Sequence, residues 1–257
     1  MQADILTLSS MGCHPLSVAT TITIQDSMGV EAAMAIDAEW VADQARCLLE
    51  DVAVTVFKVG AVGSIESIAA IAEVVSDYPD VPLVLDPALS VGRGSEPVSD
   101  EIVSAMRELL IPQTTILTPN SHEIRRLVQE EGDEADDGTP EECARQLLAL
   151  GAEFVLVTGT HEGTNQILNT LYSEQGVVRT DSWQRLPGSF HGSGATLAAA
   201  IAATLANGLE VSEAVRDAQE YTWQSLKFAY RTGMGQLIPD RLFWAREDES
   251  RQDDSRD

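Results

Sequence analysis

Val52–Gly60 reads VAVTVFKVG, Ser64–Val75 reads SIESIAAIAEVV, and Val81–Pro87 reads VPLVLDP. The outer two segments are short, almost unbroken runs of β-favouring apolar residues. The middle one repeats its apolar residues every three to four positions. A strand that is apolar on both faces suits a parallel sheet covered by helices on both sides. The stretch therefore predicts a βαβ unit, with strands over Val52–Val59 and Val81–Leu85 and a helix over Ser64–Val75. The same alternation continues outward. Strands are expected at Val18–Ile24, Thr115–Leu117 and Phe154–Val157, and helices at Asp37–Leu49, Asp100–Leu110 and Pro140–Leu150, with Gly151 closing the last. The implied class is α/β around one mostly parallel sheet.

Downstream the pattern changes. Gln166–Tyr172 and Gly176–Trp183 read as a β-hairpin turning at Ser173–Gly176. An Ala-rich helix is expected from Gly194 to Asn207, stopped by Gly208, and another from Val211 to Tyr230. A single domain is expected over residues 1–245. Residues 246–257, Arg246–Asp257, are all Asp, Glu, Arg, Gln or Ser, and read as an acidic, solvated tail.

Charge narrows the function. The 257 residues carry 16 Lys and Arg against 41 Asp and Glu, a net charge of −25. Such a chain repels phosphate backbones and anionic lipid, so nucleic-acid and membrane-surface binding are not expected. No run approaches the ~20 apolar residues that span a bilayer. The start, Met1-Gln2-Ala3-Asp4, has no basic segment followed by an apolar one. Cys13, Cys47 and Cys143 are odd in number and far apart, which suits neither a disulfide framework nor a metal cluster, so the expected location is cytoplasmic. Only Lys58 and Lys227 are lysines. Abundant acids with so few lysines suit a salty cytoplasm, where ionic strength screens self-repulsion.

Three local patterns carry chemistry. His191-Gly192-Ser193-Gly194-Ala195-Thr196 opens the Ala-rich helix. Small residues there let a ligand approach the backbone, and the free N–H groups and helix dipole favour an anion. A plain helix entry capped by Ser193 reads equally well. Asp86-Pro87 and Thr118-Pro119-Asn120-Ser121-His122-Glu123 both stand at strand ends, where open parallel sheets bind ligands. Asn120 and Glu123 suit either one Mg²⁺ through oxygen ligands or a helix cap with Glu at the third position. Gln25 ends a strand and could present its amide to a flat heterocycle or simply begin a loop.

Taken in order, Gln25, Lys58-Val59-Gly60, Asp86-Pro87, Thr118–Glu123, Val157-Thr158-Gly159 and His191–Thr196 resemble the ribokinase-like superfamily. Within it, the chain most resembles the hydroxymethylpyrimidine and phosphomethylpyrimidine kinases of thiamine biosynthesis, over Met1 to about Tyr230. The resemblance implies a three-layer αβα sandwich. It also implies ATP-dependent phosphorylation of 4-amino-5-hydroxymethyl-2-methylpyrimidine and then of its monophosphate. Asp4 and Gln25 would hold the pyrimidine, with Ala61 beside it. Gly192, Ser193, Gly194 and Ala195 would cradle the transferred phosphoryl group. Asp86, Asn120, Thr158 and Gly159 would lie on the ATP side, with Mg²⁺ on Glu123 and Asn120. A homodimer is implied as well.

The chain departs from that family in three ways. Its Gly-rich loop ends in Ala195, where the family has cysteine and much of the superfamily aspartate. A methyl group cannot take a proton, and general-base help is commonly worth ~10²–10⁴-fold. The family also places a strand and a Gly-rich turn ahead of the Gln2-Ala3-Asp4 segment, so an inner strand is expected to be missing. Thr158 stands where lysine is common and Ala61 where methionine is common; Arg93 could restore some positive charge. Two other readings stay open: a pyridoxal or pyridoxine kinase, and a non-catalytic pyrimidine-binding protein on the same fold.

Overall fold

A computed structural model describes residues 1–89, 98–129, 138–159 and 165–246. Arg93 and residues 247–257 of the expected tail lie outside the described residues. Six strands form the main sheet: β3 (Phe57–Val59), β4 (Leu83–Leu85), β5 (Ile116–Leu117), β6 (Phe154–Thr158), β7 (Gln166–Ser173) and β8 (Gly176–Gln184), side by side in that order. β3 to β6 are mutually parallel, and β7 and β8 follow as an antiparallel hairpin. The expected βαβ unit is present: β3 leads through α3 (Ile65–Ser76) into β4.

The apolar runs are buried on both faces, as their composition demands. Leu85, Leu117, Val155 and Val157 pack on one side with Ile68 and Ala72 of α3. The same core takes in Val103 of α4 (Asp100–Ala105), Ile124 and Leu127 of α5 (Glu123–Val128), and Leu147 of α6 (Pro140–Ala149). Val84, Ile116, Leu156 and Leu171 point the other way. They meet Leu197 and Ile201 of α7 (Ser193–Ala206), Val215 and Ala218 of α8 (Val211–Lys227), and Leu8 of α1 (Gln2–Ser10). The result is a three-layer αβα sandwich.

Helix starts follow local chemistry. Ser64 caps α3 by accepting the Ser67 N–H. Thr139 and Glu142 form a reciprocal capping box on α6, with Pro140 in the first turn. Gly151 follows α6 at φ 120°, in the left-handed region expected of a closing glycine.

Several expectations change. Val18–Ile24 is not a buried parallel strand. The strand there is β1 (Thr21–Gln25), which pairs antiparallel with β2 (Val30–Ala35) in a separate two-stranded sheet. Ile22, Ile24 and Met34 are exposed there, while Thr21, Thr23 and Gln25 alternate onto the face that lines a cavity. Apolar content marked a strand correctly, but the period-2 pattern points its apolar side outward. Of Val52–Val59, only Phe57–Val59 pairs in the sheet. α4 ends at Ala105 and continues as a π-helical turn over Met106–Leu110. α8 stops at Lys227, three residues short of Tyr230. Gln2–Asp4 open helix α1.

Candidate active site

The parallel strands end level with one another. Val59 pairs with Leu85, and Leu85 with Leu117. Asp86 N–H donates to the Val59 carbonyl at 2.9 Å, and Thr118 N–H to Leu85 at 3.0 Å. Beyond them the chain from β5 loops out at Pro119 and touches β6 again, with Ser121 N–H donating to the Thr158 carbonyl at 3.1 Å. Asp86, Asn120, Glu123 and Thr158 are thereby carried to the same sheet end, where they line one cavity of about 2430 Å³. Asp4, Gln25 and Ala61 line it from the α1 and hairpin side, and Gly192, Ser193, Gly194 and Ala195 from the start of α7. Of the residues expected in the site, Gly159 alone is not in that lining.

At the α7 end, Gly192 adopts φ 80° and ψ 22°, which a side chain at that position would resist. The first ladder bond is Thr196 N–H to the Gly192 carbonyl, at 3.0 Å. The N–H groups of Ser193, Gly194 and Ala195 therefore precede the ladder. No side chain caps the helix. The alternative role for Ser193, as cap, falls away because it occupies the first helical position. Ala195 contributes an amide and a methyl group only.

The strand-end acids are held tightly. Asn120 Oδ1 accepts the N–H groups of His122 and Glu123 at 2.9 and 3.0 Å, which caps α5. Glu123 answers with Oε2 accepting the Asn120 N–H at 3.0 Å, while Oε1 accepts the Leu89 N–H at 3.1 Å. One carboxylate thus ties the turn after β4 to the turn after β5. Burial pushes the Glu123 carboxyl up to about 7; the Asn120 N–H partly offsets this, and Asp86 nearby raises it further. Burial likewise raises Asp86, against the pull of Lys58. Next to Asp86, Ala88 sits at φ 45°, a left-handed conformation that costs a non-glycine residue about 1–2 kcal/mol.

Several functional-looking residues were not anticipated as site residues. Lys58, only 10 % exposed, lies 3.0 Å from Asp4 and 3.8 Å from Asp86. Burial would raise the Asp4 carboxyl, but Lys58 and the Met1 amino group outweigh it and hold the carboxyl below its ordinary value. Gly159 N–H donates to Asn169 Oδ1 at 3.1 Å, and Asn169 Nδ2 donates to Gln219 Oε1 at 2.8 Å. Gln219 Nε2 donates to Asp181 Oδ2 at 2.9 Å, and Asp181 is gripped by Arg179 through two 2.7 Å bonds. That buried relay fixes the glycine where β6 leaves the sheet; a Cβ on Gly159 would lie 2.5 Å from the Leu168 carbonyl. Arg241, 7 % exposed, packs against the Gly192 turn. Lys58 stood in the ordered motifs without an assigned role, while Asn169, Gln219 and Arg241 stood in none, because each is a lone polar side chain brought in from a distant element.

The family model for phosphomethylpyrimidine kinase matches residues 1–240. The chain belongs to the phosphomethylpyrimidine kinase family. It is therefore built as a phosphotransferase. The hydroxymethylpyrimidine/phosphomethylpyrimidine kinase of Mycobacterium leprae is 34 % identical over 241 residues, covering 91 % of this chain and 86 % of that protein. The Rhizobium meliloti protein of the same name is 34 % identical over 241 residues, covering 92 % and 88 %. Among solved structures, an ADP complex of Bacillus subtilis pyridoxal kinase matches with a TM-score of 0.85. It is 25 % identical and covers 96 % of this chain and 93 % of that one. Phosphomethylpyrimidine kinase from Clostridium difficile matches with a TM-score of 0.72 and 28 % identity, covering 88 % and 92 %. These neighbours carry the ribokinase-like fold that the order of motifs implied.

Proposed function

We propose that this member of the phosphomethylpyrimidine kinase family transfers the terminal phosphoryl group of ATP to 4-amino-5-hydroxymethyl-2-methylpyrimidine and then to its monophosphate. The observation that carries the reading is the meeting, in one cavity, of the α7 amides with the paired acids Asp86 and Glu123. Phosphoryl transfer needs mainly positioning and charge neutralisation, and those are the functions these groups offer. The Gly192–Ala195 amides face the transferred group. Asp4 takes the aminopyrimidine: the residue lines the cavity, with Oδ1 held by Lys58 at 3.0 Å and Oδ2 by the Met1 amino group at 2.9 Å. Gln25 and Ala61 flank the ring, and Thr158 and Gly159 stand on the ATP side.

Mg²⁺ fits these residues in one particular way. No group of three or more His, Cys, Asp or Glu side chains among the described residues could cage a metal. Asn120 Oδ1 already accepts two N–H groups; we assign Asn120 to capping rather than ligation. Glu123 accepts one N–H on each oxygen and keeps a lone pair on each. Glu123 and Asp86 are two buried acids whose charges oppose each other, an arrangement that a phosphate-borne cation relieves. Bound there, Mg²⁺ would neutralise developing charge on the phosphates. A homodimer is part of the same reading, supported by the exposed Ile22, Ile24 and Met34 face of the hairpin.

A second reading, a pyridoxal kinase, is favoured by the higher TM-score to the Bacillus subtilis enzyme. Incubation with ATP·Mg²⁺ and either the pyrimidine or pyridoxal, with product separated by chromatography, decides between them. Phosphorylated pyrimidine is the expected product. Faster turnover of pyridoxal overturns the substrate, and tight pyrimidine binding with no turnover of either leaves a non-catalytic binding protein.

A further inference from the structure

Arg241 is a buried cation with no counter-ion among the described residues. Its Nε–H donates to Thr196 Oγ1 at 3.0 Å, Nη1 to the Pro239 carbonyl at 3.4 Å, and Nη2 to the Gly192 carbonyl at 3.4 Å. All three acceptors are neutral. Among the described residues no carboxylate lies within salt-bridge distance of it, although the residue is only 7 % exposed. Its neighbour Asp240 is engaged elsewhere, by Arg246. Burying an unpaired guanidinium is costly unless an opposite charge arrives. A guanidinium has five N–H donors, and the three bonds leave two uncommitted. The same side chain lines the site cavity.

The guanidinium is not there by slack. Tyr221 Oη donates to the Arg241 carbonyl at 2.7 Å, and the Leu237 N–H donates to the Ser189 carbonyl at 2.9 Å. His191 N–H returns a bond to the Leu237 carbonyl at 2.8 Å. The segment carrying Arg241 is thus laced to the loop that opens α7. The geometry also gives it a side. A Cβ built on Gly192 would meet Arg241 Nη2 at 3.0 Å and Ala3 Cβ at 3.8 Å. Arg241 therefore flanks the Gly192 turn on the same side as the start of α1, which carries Asp4. Burial lowers the affinity of Arg241 for its proton, and Asp4 is among the groups that raise it again. Thr158 and Gly159, read above as the ATP side, come from a different element, the end of β6.

The geometry points to Arg241 as the residue that receives the phosphate of an already phosphorylated acceptor, and so sets the chain's preference for the pyrimidine monophosphate over the free alcohol. The inference rests on the acceptor assignment above, since it uses Asp4 to mark the acceptor side. It adds a cation to a site whose loop supplies only amides, in a chain that is otherwise strongly acidic.

Binding tests this without turnover, so a slow Ala195 enzyme does not obscure it. The whole chain and its R241Q variant are titrated calorimetrically, without ATP, with the pyrimidine alcohol, the pyrimidine monophosphate and inorganic phosphate. The wild type is expected to bind the monophosphate about ten- to hundredfold more tightly than the alcohol, the worth of a hydrogen bond to a charged group. In R241Q that ratio is expected to fall to about one, with the alcohol Kd within about threefold of wild type. An unchanged ratio, or equal loss of both ligands, overturns the inference. If the wild type binds neither pyrimidine, the acceptor reading has failed, and phosphate decides for Arg241 alone: binding by wild type and not by R241Q supports an anion site, equal binding sinks it. Should R241Q fail to fold, R241K carries the test, since a point charge without the guanidinium fork should lose part of the preference and full retention would overturn it.

Discussion

At position 195 the reading of the site comes down to one methyl group. The loop around it keeps the features that need only backbone: Gly192 in a left-handed turn and three amides ahead of the α7 ladder. What Ala195 lacks is a proton acceptor. A cysteine there would sit in the first turn of a 14-residue helix, where the dipole favours a thiolate. Ala195→Cys is therefore expected to raise kcat by roughly 10²–10⁴-fold while leaving pyrimidine affinity within about threefold; an unchanged kcat would mean that another group already serves as base. Asp181 allows a pH test. The two bonds from Arg179 hold its carboxyl below the ordinary value, against the effect of burial. A carboxylate depressed in the folded state adds stability above its unfolded pKa of about 3.9, and that stability fades as pH falls through the folded value. Asp181→Asn should cost roughly 1–2 kcal/mol in urea melts at pH 7, with the gap to wild type closing below about pH 4. A gap that stays constant with pH would assign the cost to packing. The Gly-rich start of α7 and the strand-end acids were legible in the sequence because each is a local string. Lys58 was legible as part of a motif but its partners were not, and Arg241 and the Asn169–Gln219 relay were not legible at all, since their meaning depends on which distant groups they meet.

Elements separate in the same way. β4, β5 and β6 were readable because apolar residues on both faces leave a strand only one place to go, between two layers of helix. The hairpin was not. Val18–Ile24 has the composition of a core strand, yet Ile22 and Ile24 are 54 % and 62 % exposed, and Met34 directly opposite Ile22 is 61 % exposed. β2 escaped notice because Val30–Ala35, VEAAMA, favours helix as much as strand. Composition ranks how apolar a strand is; it does not say which neighbour covers it. A cross-strand pair of large apolar side chains left in water suits coverage by a second copy of the chain. If the hairpin is the dimer face, Ile22→Thr with Met34→Thr should shift the sedimentation coefficient from dimer to monomer and change the unfolding midpoint little, because neither residue packs in the monomer core. A variant that remains dimeric would place the interface elsewhere; a wild type that sediments as a monomer would remove the homodimer from the reading.

For the whole molecule the question is how a chain of net charge −25 accommodates an anionic substrate pair. The structure separates the two problems in space. Inside the cavity the groups that can meet an anion are Lys58 at 10 % exposure, Arg241 at 7 % and the α7 amides, set among the acids Asp4, Asp86 and Glu123. The excess of acids is spread over the exterior and through the tail. Buried charges are screened little by salt, whereas exposed like charges more than a Debye length apart are screened strongly, about 10 Å at 0.1 M and 3 Å at 1 M. Raising ionic strength should therefore relieve the exterior without dismantling the site. With 41 acids against 16 Lys and Arg, the repulsion removed exceeds the attraction lost from exposed pairs such as Arg145–Glu141. The thermal midpoint is expected to climb between 0.1 and 2 M KCl, by about 2–4 °C for each kcal/mol of repulsion relieved in a domain of this size. NaCl at equal concentration should match KCl, because screening follows ionic strength rather than ion identity. A midpoint that falls steadily with either salt would show that surface attraction, not repulsion, dominates this exterior, and would remove the argument for a saline setting.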